Sequence, residues 1–94
     1  SIAKQIGIEN NNVLQAIKHH HEKIDGTGYP AKLKGNNIPK YARIIGLCDI
    51  FDALTTQRPY ADAMSTFAAL KYIKFDMGSQ IDDELLKKLV LIFR

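Results

Sequence analysis

The sequence lacks the features of secreted, membrane-spanning and DNA-binding proteins. It has one cysteine, Cys48, so no disulfide can form within the chain, which fits a reducing, cytoplasmic compartment. No apolar run approaches the ~18 residues of a membrane span, and the first residues lack the apolar core of a signal peptide. The formal net charge of +3 is too weak to indicate binding to duplex nucleic acid, although it favours an anionic ligand.

Repeats, low-complexity segments and the period-two alternation of a half-buried strand are also absent from the sequence. The 94 residues are enough for one domain, and a hydrophobic fraction of 46% with a charged fraction of 24% is that of an ordinary globular protein. The chain starts with Ser1 rather than Met, so we expect a piece of a longer protein. The periodicity that remains is helical and predicts an all-α domain.

Four helices joined by one long loop are predicted. They cover residues 11–22, residues 41–54, a segment from an N-cap at Ser65 to about Met77, and a segment that begins at the acidic residues 82–84. Residues 25–38 are rich in glycine, proline and asparagine and form the loop. In the third helix Phe67 and Phe75 are expected to face inward, and Gly78 is expected to end it.

The second predicted helix is apolar around its whole circumference, which is typical of a buried central helix. We expect Pro39 at its first position and Cys48 among its buried residues. Asp49 and Asp52 interrupt the apolar run and share roughly one helical face. A buried carboxylate requires a partner, which for Asp49 is either an arginine such as Arg43, a helix N-terminus or a metal ion.

Residues 19–30, His-His-His-Glu-Lys-Ile-Asp-Gly-Thr-Gly-Tyr-Pro, contain every histidine of the chain. Imidazoles and carboxylates bind transition metals, and a glycine-rich turn lets the backbone approach a ligand closely. Adjacent helical residues point about 100° apart, so neighbouring histidines suit two nearby ions, or one ion at a distorted helix end. This cluster favours the metal interpretation of Asp49. Arg58, directly before Pro59, is either a phosphate ligand or an ordinary surface arginine.

Several segments, in this order, resemble the HD-GYP family, a branch of the HD-domain phosphohydrolases. They are His20-His21-Glu22, Asp25-Gly26, Gly28-Tyr29-Pro30, Ile38-Pro39, Ala42-Arg43-Ile44-Ile45, Asp49, Asp52-Ala53-Leu54, Arg58-Pro59-Tyr60 and Gly78-Ser79-Gln80-Ile81-Asp82. The resemblance covers nearly the whole chain. It implies an HD-type helical bundle of which residues 1–94 form the C-terminal part. It also implies two or three divalent metal ions, commonly iron or manganese, and hydrolysis of the signalling molecule cyclic di-GMP.

The same resemblance implies roles for individual residues. His20, His21 and Asp49 would bind metal. Arg58 and the loop residues Gly28, Tyr29 and Pro30 would bind substrate. Glu22 and Asp25 would be catalytic residues. We expect Glu22 and Asp25 to support the metal ligands from behind. The implied partners are a cyclic dinucleotide substrate and a signalling protein that contacts the loop carrying Gly28, Tyr29 and Pro30, hereafter the GYP loop.

Three departures from the family pattern affect these expectations. The chain has no histidine before His19 and no His-Asp dipeptide, so the name-giving metal ligands of the family are absent from it. Ala61 stands where a basic residue often follows Arg-Pro-Tyr, and Lys32 replaces a glycine that is usual in the loop. We therefore expect the chain alone to be inactive, and the alternative is a degenerate, non-catalytic module that binds cyclic di-GMP or a protein partner.

Overall fold

The computed structural model describes residues 11–93. The helices in this range are α1 (Asn11–His19), α2 (Lys40–Thr55), α3 (Thr66–Asp76) and α4 (Asp83–Ile92), with short 3₁₀ turns at Gly35–Asn37 and Gly78–Gln80. The described part contains isolated β-bridges but no strand, which confirms the all-α prediction. None of the described helices has the length and apolar character needed to cross a membrane. The first residues, where no signal peptide is expected, lie outside the described range.

The helix ends follow local hydrogen bonding. Ser65 is the predicted N-cap of α3, and its hydroxyl accepts a hydrogen bond from Ala68 N at 3.1 Å. The first helix ends at His19 instead of residue 22, because the chain then turns and Glu22 N donates to His19 O at 3.0 Å. Pro39 is the N-cap of α2 rather than its first residue, since its ψ of 137° is extended. Met77 is the C-cap of α3, so Gly78 directly follows the end of the helix, as expected.

The main core lies where α2, α3 and α4 meet. Leu47, Ile73, Ile81 and Leu86 are buried there, and they are surrounded by the partly buried residues Ile50, Phe51, Leu54, Leu70, Met77, Leu85 and Leu89. On its other side α2 packs against α1. Helix α2 is therefore the central helix, as predicted, and it positions the end of α1 relative to the rest of the domain.

The prediction that α2 is buried all round is wrong for the described part of the chain. Tyr41 is 56% exposed and Ile45 38% exposed, and Cys48 is also exposed. These residues share a third face of α2, between the faces that contact α1 and α3–α4. Apolar character makes burial favourable, but burial requires a neighbouring element, and within residues 11–93 none covers this face.

The inward orientation predicted for Phe67 and Phe75 is also wrong. The two residues are 72% and 71% exposed, because α3 packs through its opposite side, where Ala69 and Ile73 are completely buried. An apolar groove of about 560 Å³ runs between α3 and α4 beside the two rings.

Arg43 connects three elements that follow α1. Its Nη1 donates to Asp82 Oδ2 at 2.5 Å, and its Nε donates to Ile38 O at 3.2 Å. Asp82 is also the N-cap of α4, and its Oδ1 accepts hydrogen bonds from the first backbone N–H groups of that helix. Arg43 thus joins α2 to the loop and to α4, and it is not the partner of Asp49.

Candidate metal and phosphate site

His20 and Asp49 approach each other between the end of α1 and the middle of α2. His20 Nδ1 lies 2.7 Å from Ile17 O. A carbonyl oxygen only accepts hydrogen bonds, so Nδ1 must carry a proton and donate it. In the neutral ring the lone pair is then on Nε2, and this atom lies 3.8 Å from Asp49 Oδ2.

The His20–Asp49 pair fits a shared cation. Two acceptor atoms face each other, and metal–ligand bonds of ~2.0–2.2 Å to each would place one ion between them. The carbonyl behind His20 is the kind of partner that fixes the ring of a metal-binding histidine. A doubly protonated His20 would form an ion pair with Asp49 at the same place. Asp49 was expected to be buried, but its side chain is 60% exposed because it borders the uncovered face of α2.

His21 lies beside this pair and is held by ring contacts. Its ring centroid is 3.9 Å from that of His20, and it stacks on Tyr29 at 4.8 Å with an interplanar angle of 18°. Partial burial, together with the charges of His20 and Lys23, lowers the pKa of His21 against the opposing effect of Asp49. The lowered pKa favours the neutral ring, whose lone pair can bind a metal ion.

A complete metal site is not formed by the described residues. Within residues 11–93, no three His, Cys, Asp or Glu side chains form a group that could hold a metal ion. His20 and Asp49 are brought together, and His21 is their neighbour. Metal binding by His20, His21 and Asp49 thus stays a prediction.

Glu22 anchors the GYP loop from inside the protein. Its side chain is fully buried, and it accepts hydrogen bonds from Ala31 N at 2.8 Å, Leu33 N at 2.9 Å and His19 Nδ1 at 3.1 Å. Burial alone would raise the pKa of Glu22, but these hydrogen bonds outweigh it and lower the pKa. Both carboxylate oxygens of Glu22 accept hydrogen bonds, as expected of a residue that positions the loop. A catalytic role for Glu22 stays a prediction.

Asp25 shapes the turn that starts the GYP loop. Its Oδ1 accepts hydrogen bonds from Thr27 Oγ1 at 2.6 Å and Thr27 N at 3.0 Å, and these bonds lower its pKa. This is an Asx-type turn. Asp25 also forms a β-bridge with Lys34, and a side-chain hydrogen bond with Ser79 adds to the lowering of its pKa. Its catalytic role too remains a prediction.

Gly28 brings the loop directly onto the histidine segment. A Cβ atom at this position would lie 2.3 Å from His21 O and 2.5 Å from Glu22 Cα, so no other residue fits without a backbone shift. Tyr29 N donates to His21 O at 3.3 Å, and a cis peptide bond joins Tyr29 to Pro30. The close approach at Gly28 places the Tyr29 ring on His21.

Arg58 lies just beyond the C-terminal end of α2. Its backbone forms a tight turn with Ala61, and its Nη1 donates to the Tyr60 hydroxyl at 3.1 Å. That hydroxyl and the charge of Asp52 raise the pKa of the guanidinium. Arg58 Nε is buried and has no hydrogen-bond partner among the described residues. A buried donor without a partner is uncommon in folded proteins, and phosphate binding by Arg58 stays a prediction.

Gly46 is a site residue that the sequence analysis missed. A Cβ atom here would lie 2.5 Å from His20 O, so the glycine allows α2 to approach the end of α1. The available signal was a glycine inside a long apolar helix, where it weakens the helix unless close packing requires it.

Comparison with known proteins finds proteins of similar sequence. A family model described as HD domain matches residues 3–85. The chain is 48% identical over 63 residues to a cyclic di-GMP phosphodiesterase response regulator of Xanthomonas campestris, covering 67% of this chain and 17% of that protein. It is 48% identical over 65 residues to the 3′3′-cGAMP-specific phosphodiesterase 3 of Vibrio cholerae, covering 69% and 14%. A cyclic di-GMP phosphodiesterase of Thermotoga maritima is 35% identical over 68 residues, covering 72% and 18%. The chain thus spans about a sixth of the length of these relatives.

Proposed function

This chain belongs to the HD domain family, in its HD-GYP branch, and we propose that it supplies part of the active site of a metal-dependent phosphodiesterase that hydrolyses cyclic di-GMP. The observation that carries the proposal is the His20–Asp49 pair. An imidazole lone pair and a carboxylate face each other at 3.8 Å, with the imidazole oriented by a backbone carbonyl. The relatives named above are phosphodiesterases of cyclic dinucleotides, which agrees with this chemistry.

In this proposal the residues of the chain have separate tasks. His20 Nε2 and Asp49 Oδ2, with the neutral His21 beside them, would hold one of two or three iron or manganese ions. Such ions supply a water of lowered pKa and polarise a phosphoryl oxygen. Arg58, with its uncommitted Nε, would bind a non-bridging phosphate oxygen and offset its charge. The loop carrying Gly28, Tyr29 and Pro30, anchored by Glu22, would form the wall that contacts the dinucleotide.

The role of Arg58 can be tested separately from metal binding. Loss of a charge-assisted hydrogen bond costs about 1.5–3 kcal/mol, or roughly 10- to 150-fold in affinity. Arg58→Ala should therefore weaken binding of cyclic di-GMP by that factor, measured by calorimetry in the presence of Mn²⁺. Arg58→Lys should recover only part of it, because an ammonium lacks the planar fork. Titration with 3′3′-cGAMP in parallel distinguishes the two dinucleotides.

Lys74→Ala is the matched control, since it removes a positive charge from α3 outside the proposed site. It should leave dinucleotide binding unchanged. Metal content, measured by elemental analysis, should be equal in wild type, Arg58→Ala and Lys74→Ala. If Arg58→Ala loses the metal, or binds the dinucleotide as wild type does, Arg58 is a structural residue and its assignment fails.

A degenerate, non-catalytic module is the second candidate function. It is favoured by the lack of a three-residue metal group within residues 11–93. Such a module would bind cyclic di-GMP, or a signalling protein through the 59% exposed Tyr29 on the GYP loop. Binding of the dinucleotide with equal affinity in Mn²⁺ and in EDTA would support this candidate over the enzyme.

We also propose that residues 1–94 are the C-terminal part of a single HD-GYP domain in a cytoplasmic signalling protein. The chain covers a small share of its relatives, and α2 and α3 expose apolar residues such as Tyr41 and Phe67. The rest of such a domain would cover these surfaces and supply further metal ligands. The free Cys48 is compatible with a reducing compartment.

A further inference from the structure

The apolar groove between α3 and α4, hereafter the α3–α4 groove, lies away from the candidate metal and phosphate site. Its most buried lining residues are Leu70 and Leu86, and it is also lined by the exposed side chains of Phe67, Phe75 and Leu91. Its volume of about 560 Å³ is within the ~300–1,000 Å³ of pockets that bind ligands. The polar side chains that line it are lysines and one aspartate, so it lacks the neutral hydrogen-bonding groups that orient a small polar molecule.

The charges on the two walls of the groove differ. On α4, Lys87 Nζ lies 3.3 Å from Asp83 Oδ2 and 3.4 Å from Glu84 Oε1, so the positive charge of this wall is neutralised. On α3, Lys71 and Lys74 also line the groove, and neither forms an ion pair with another residue in the range 11–93. The α3 wall therefore presents two uncompensated positive charges next to apolar surface.

The lysines and the exposed rings alternate along one face of α3. Phe67, Lys71, Lys74 and Phe75 are spaced four, three and one residues apart, which places them on the same side of a helix. Lys71 Nζ lies 5.6 Å from the centre of the Phe67 ring, so this ammonium group is held over the apolar surface. A helix with an apolar row flanked by carboxylates complements such a face, because its apolar side chains enter the groove and its carboxylates meet the lysines.

The length of the groove indicates where such a helix comes from. The 11 residues of α3 and the 10 residues of α4 are about 15–16 Å long, so about three turns of a docked helix lie along them. Three turns bury less than the ~800 Å² per partner of a stable interface between separate proteins. A tethered helix needs less contact, because its effective concentration is in the millimolar range. The relatives are several times longer than the segment they share with this chain, which leaves room for one.

We propose that the α3–α4 groove binds an amphipathic helix that carries acidic side chains beside its apolar row and belongs to another part of the same full-length protein. This inference rests on the proposal that residues 1–94 are one part of a longer protein. It does not depend on metal or dinucleotide binding. It specifies the charge of the helix that covers α3, because Lys71 and Lys74 favour carboxylates and repel amines.

The test uses two synthetic helical peptides of about 14 residues, or four turns. Both have the same leucine row, which is flanked by glutamates in one peptide and by lysines in the other. In NMR titrations of the 94-residue chain at low salt, the glutamate peptide should bind about 10-fold more tightly and shift the signals of α3 and α4. The difference should disappear in about 1 M NaCl, where the screening length is ~3 Å. Equal affinities at low salt, or no binding of the glutamate peptide, would overturn the proposal.

Charge reversal within the groove provides the matched comparison. Lys71→Glu/Lys74→Glu should reverse the preference, so that the lysine peptide binds more tightly. Lys18→Glu/Lys40→Glu makes the same change in net charge at exposed positions outside the groove and should keep the original preference. Phe75→Ala should weaken binding of the glutamate peptide by about 10-fold, because the ring lines the groove. A preference that both double variants change equally, or that neither changes, would refute the role of the lysines.

The full-length protein tests the source of the helix. Its own helix should occupy the groove, so it should bind the glutamate peptide at least about 10-fold more weakly than the 94-residue chain does. Equal affinity would refute an occupant from the same protein.

Two further measurements test other occupants of the groove. Sedimentation of the 94-residue chain should show no dimer that Phe75→Ala dissociates, and vesicles of anionic lipid should show no binding that Lys71→Glu/Lys74→Glu abolishes. Either result would instead assign the groove to a second copy or to a membrane surface and overturn the proposal. All of these measurements are made without metal or dinucleotide, so their failure is distinct from failure of the Arg58 test.

Discussion

Replacement of Glu22 by glutamine tests whether this buried carboxylate holds the GYP loop. The two oxygens of Glu22 accept hydrogen bonds from Ala31 N, Leu33 N and His19 Nδ1. Glutamine has nearly the same shape but only one oxygen, and its NH₂ group is a donor. Whichever way the amide is oriented, its NH₂ meets the backbone N–H of either Ala31 or Leu33, and that N–H loses its acceptor.

The expected cost follows from these contacts. A buried donor without a partner costs about 1–3 kcal/mol, and the remaining bonds lose the strength that the charged acceptor gave them. Glu22→Gln should therefore lower the free energy of unfolding by about 2–4 kcal/mol. For a domain of this size that is roughly 10–25 °C in melting temperature.

Thermal unfolding monitored by circular dichroism measures the stability, and amide hydrogen exchange shows where it is lost. Exchange should accelerate at Ala31 and Leu33 more than in α4. Glu84→Gln is the control, because Glu84 is exposed and its ion pair with Lys87 is of the weak surface kind; its effect should stay within about 0.5 kcal/mol. A Glu22→Gln protein as stable as Glu84→Gln, with unchanged exchange in the loop, would refute the anchoring role.

The pH dependence provides an additional check on Glu22. Its pKa is lowered in the folded protein from the ordinary value of 4.5. The stabilisation from its ionised form is therefore fully present above that value and is lost as the pH falls through the folded pKa. The stability difference between wild type and Glu22→Gln should be constant near neutrality and should shrink below about pH 4.5. A constant difference down to pH 2 would contradict the lowered pKa.

Three further predictions concern the loop, the α2–α4 connection and the activity of the chain. Lys32 has a φ of 53°, in the region that favours glycine, so Lys32→Gly should stabilise the protein by about 0.5–1 kcal/mol in chemical denaturation, and a loss of stability would contradict this. Asp82→Asn keeps the N-cap of α4 but removes the ion pair with Arg43, so it should lower the free energy of unfolding by about 1–2 kcal/mol in the same assay. Asp82→Ala removes both interactions and should lower it further. The 94-residue chain with Mn²⁺ or reduced iron should hydrolyse cyclic di-GMP negligibly, because three ligands cannot fill two six-coordinate ions, and turnover like that of a full-length relative would disprove this.

Local features of the sequence determined the helices and several of their ends. Apolar periodicity predicted four helices. Ser65 predicted the start of α3, because its hydroxyl can accept a hydrogen bond from the backbone N–H three residues later, within one helical turn. The resemblance likewise predicted that His20 and Asp49 come together, and their side chains lie 3.8 Å apart. These inferences succeeded because they depend on interactions between residues close in sequence, or on a signature that spans the chain.

Only the tertiary structure decided which surfaces are covered and which polar groups meet. Helix α2 is apolar on every side, so its sequence could not show that Cys48 and Asp49 would be exposed while Leu47 is buried. Arg43 pairs with Asp82, 39 residues away, and Gly46 meets the backbone of His20 across a helix–helix contact. These facts depend on the packing of α2 against α1 and α4. Helical periodicity in a sequence shows which residues share a face of the helix. It does not show which other element lies against that face, or how close it comes.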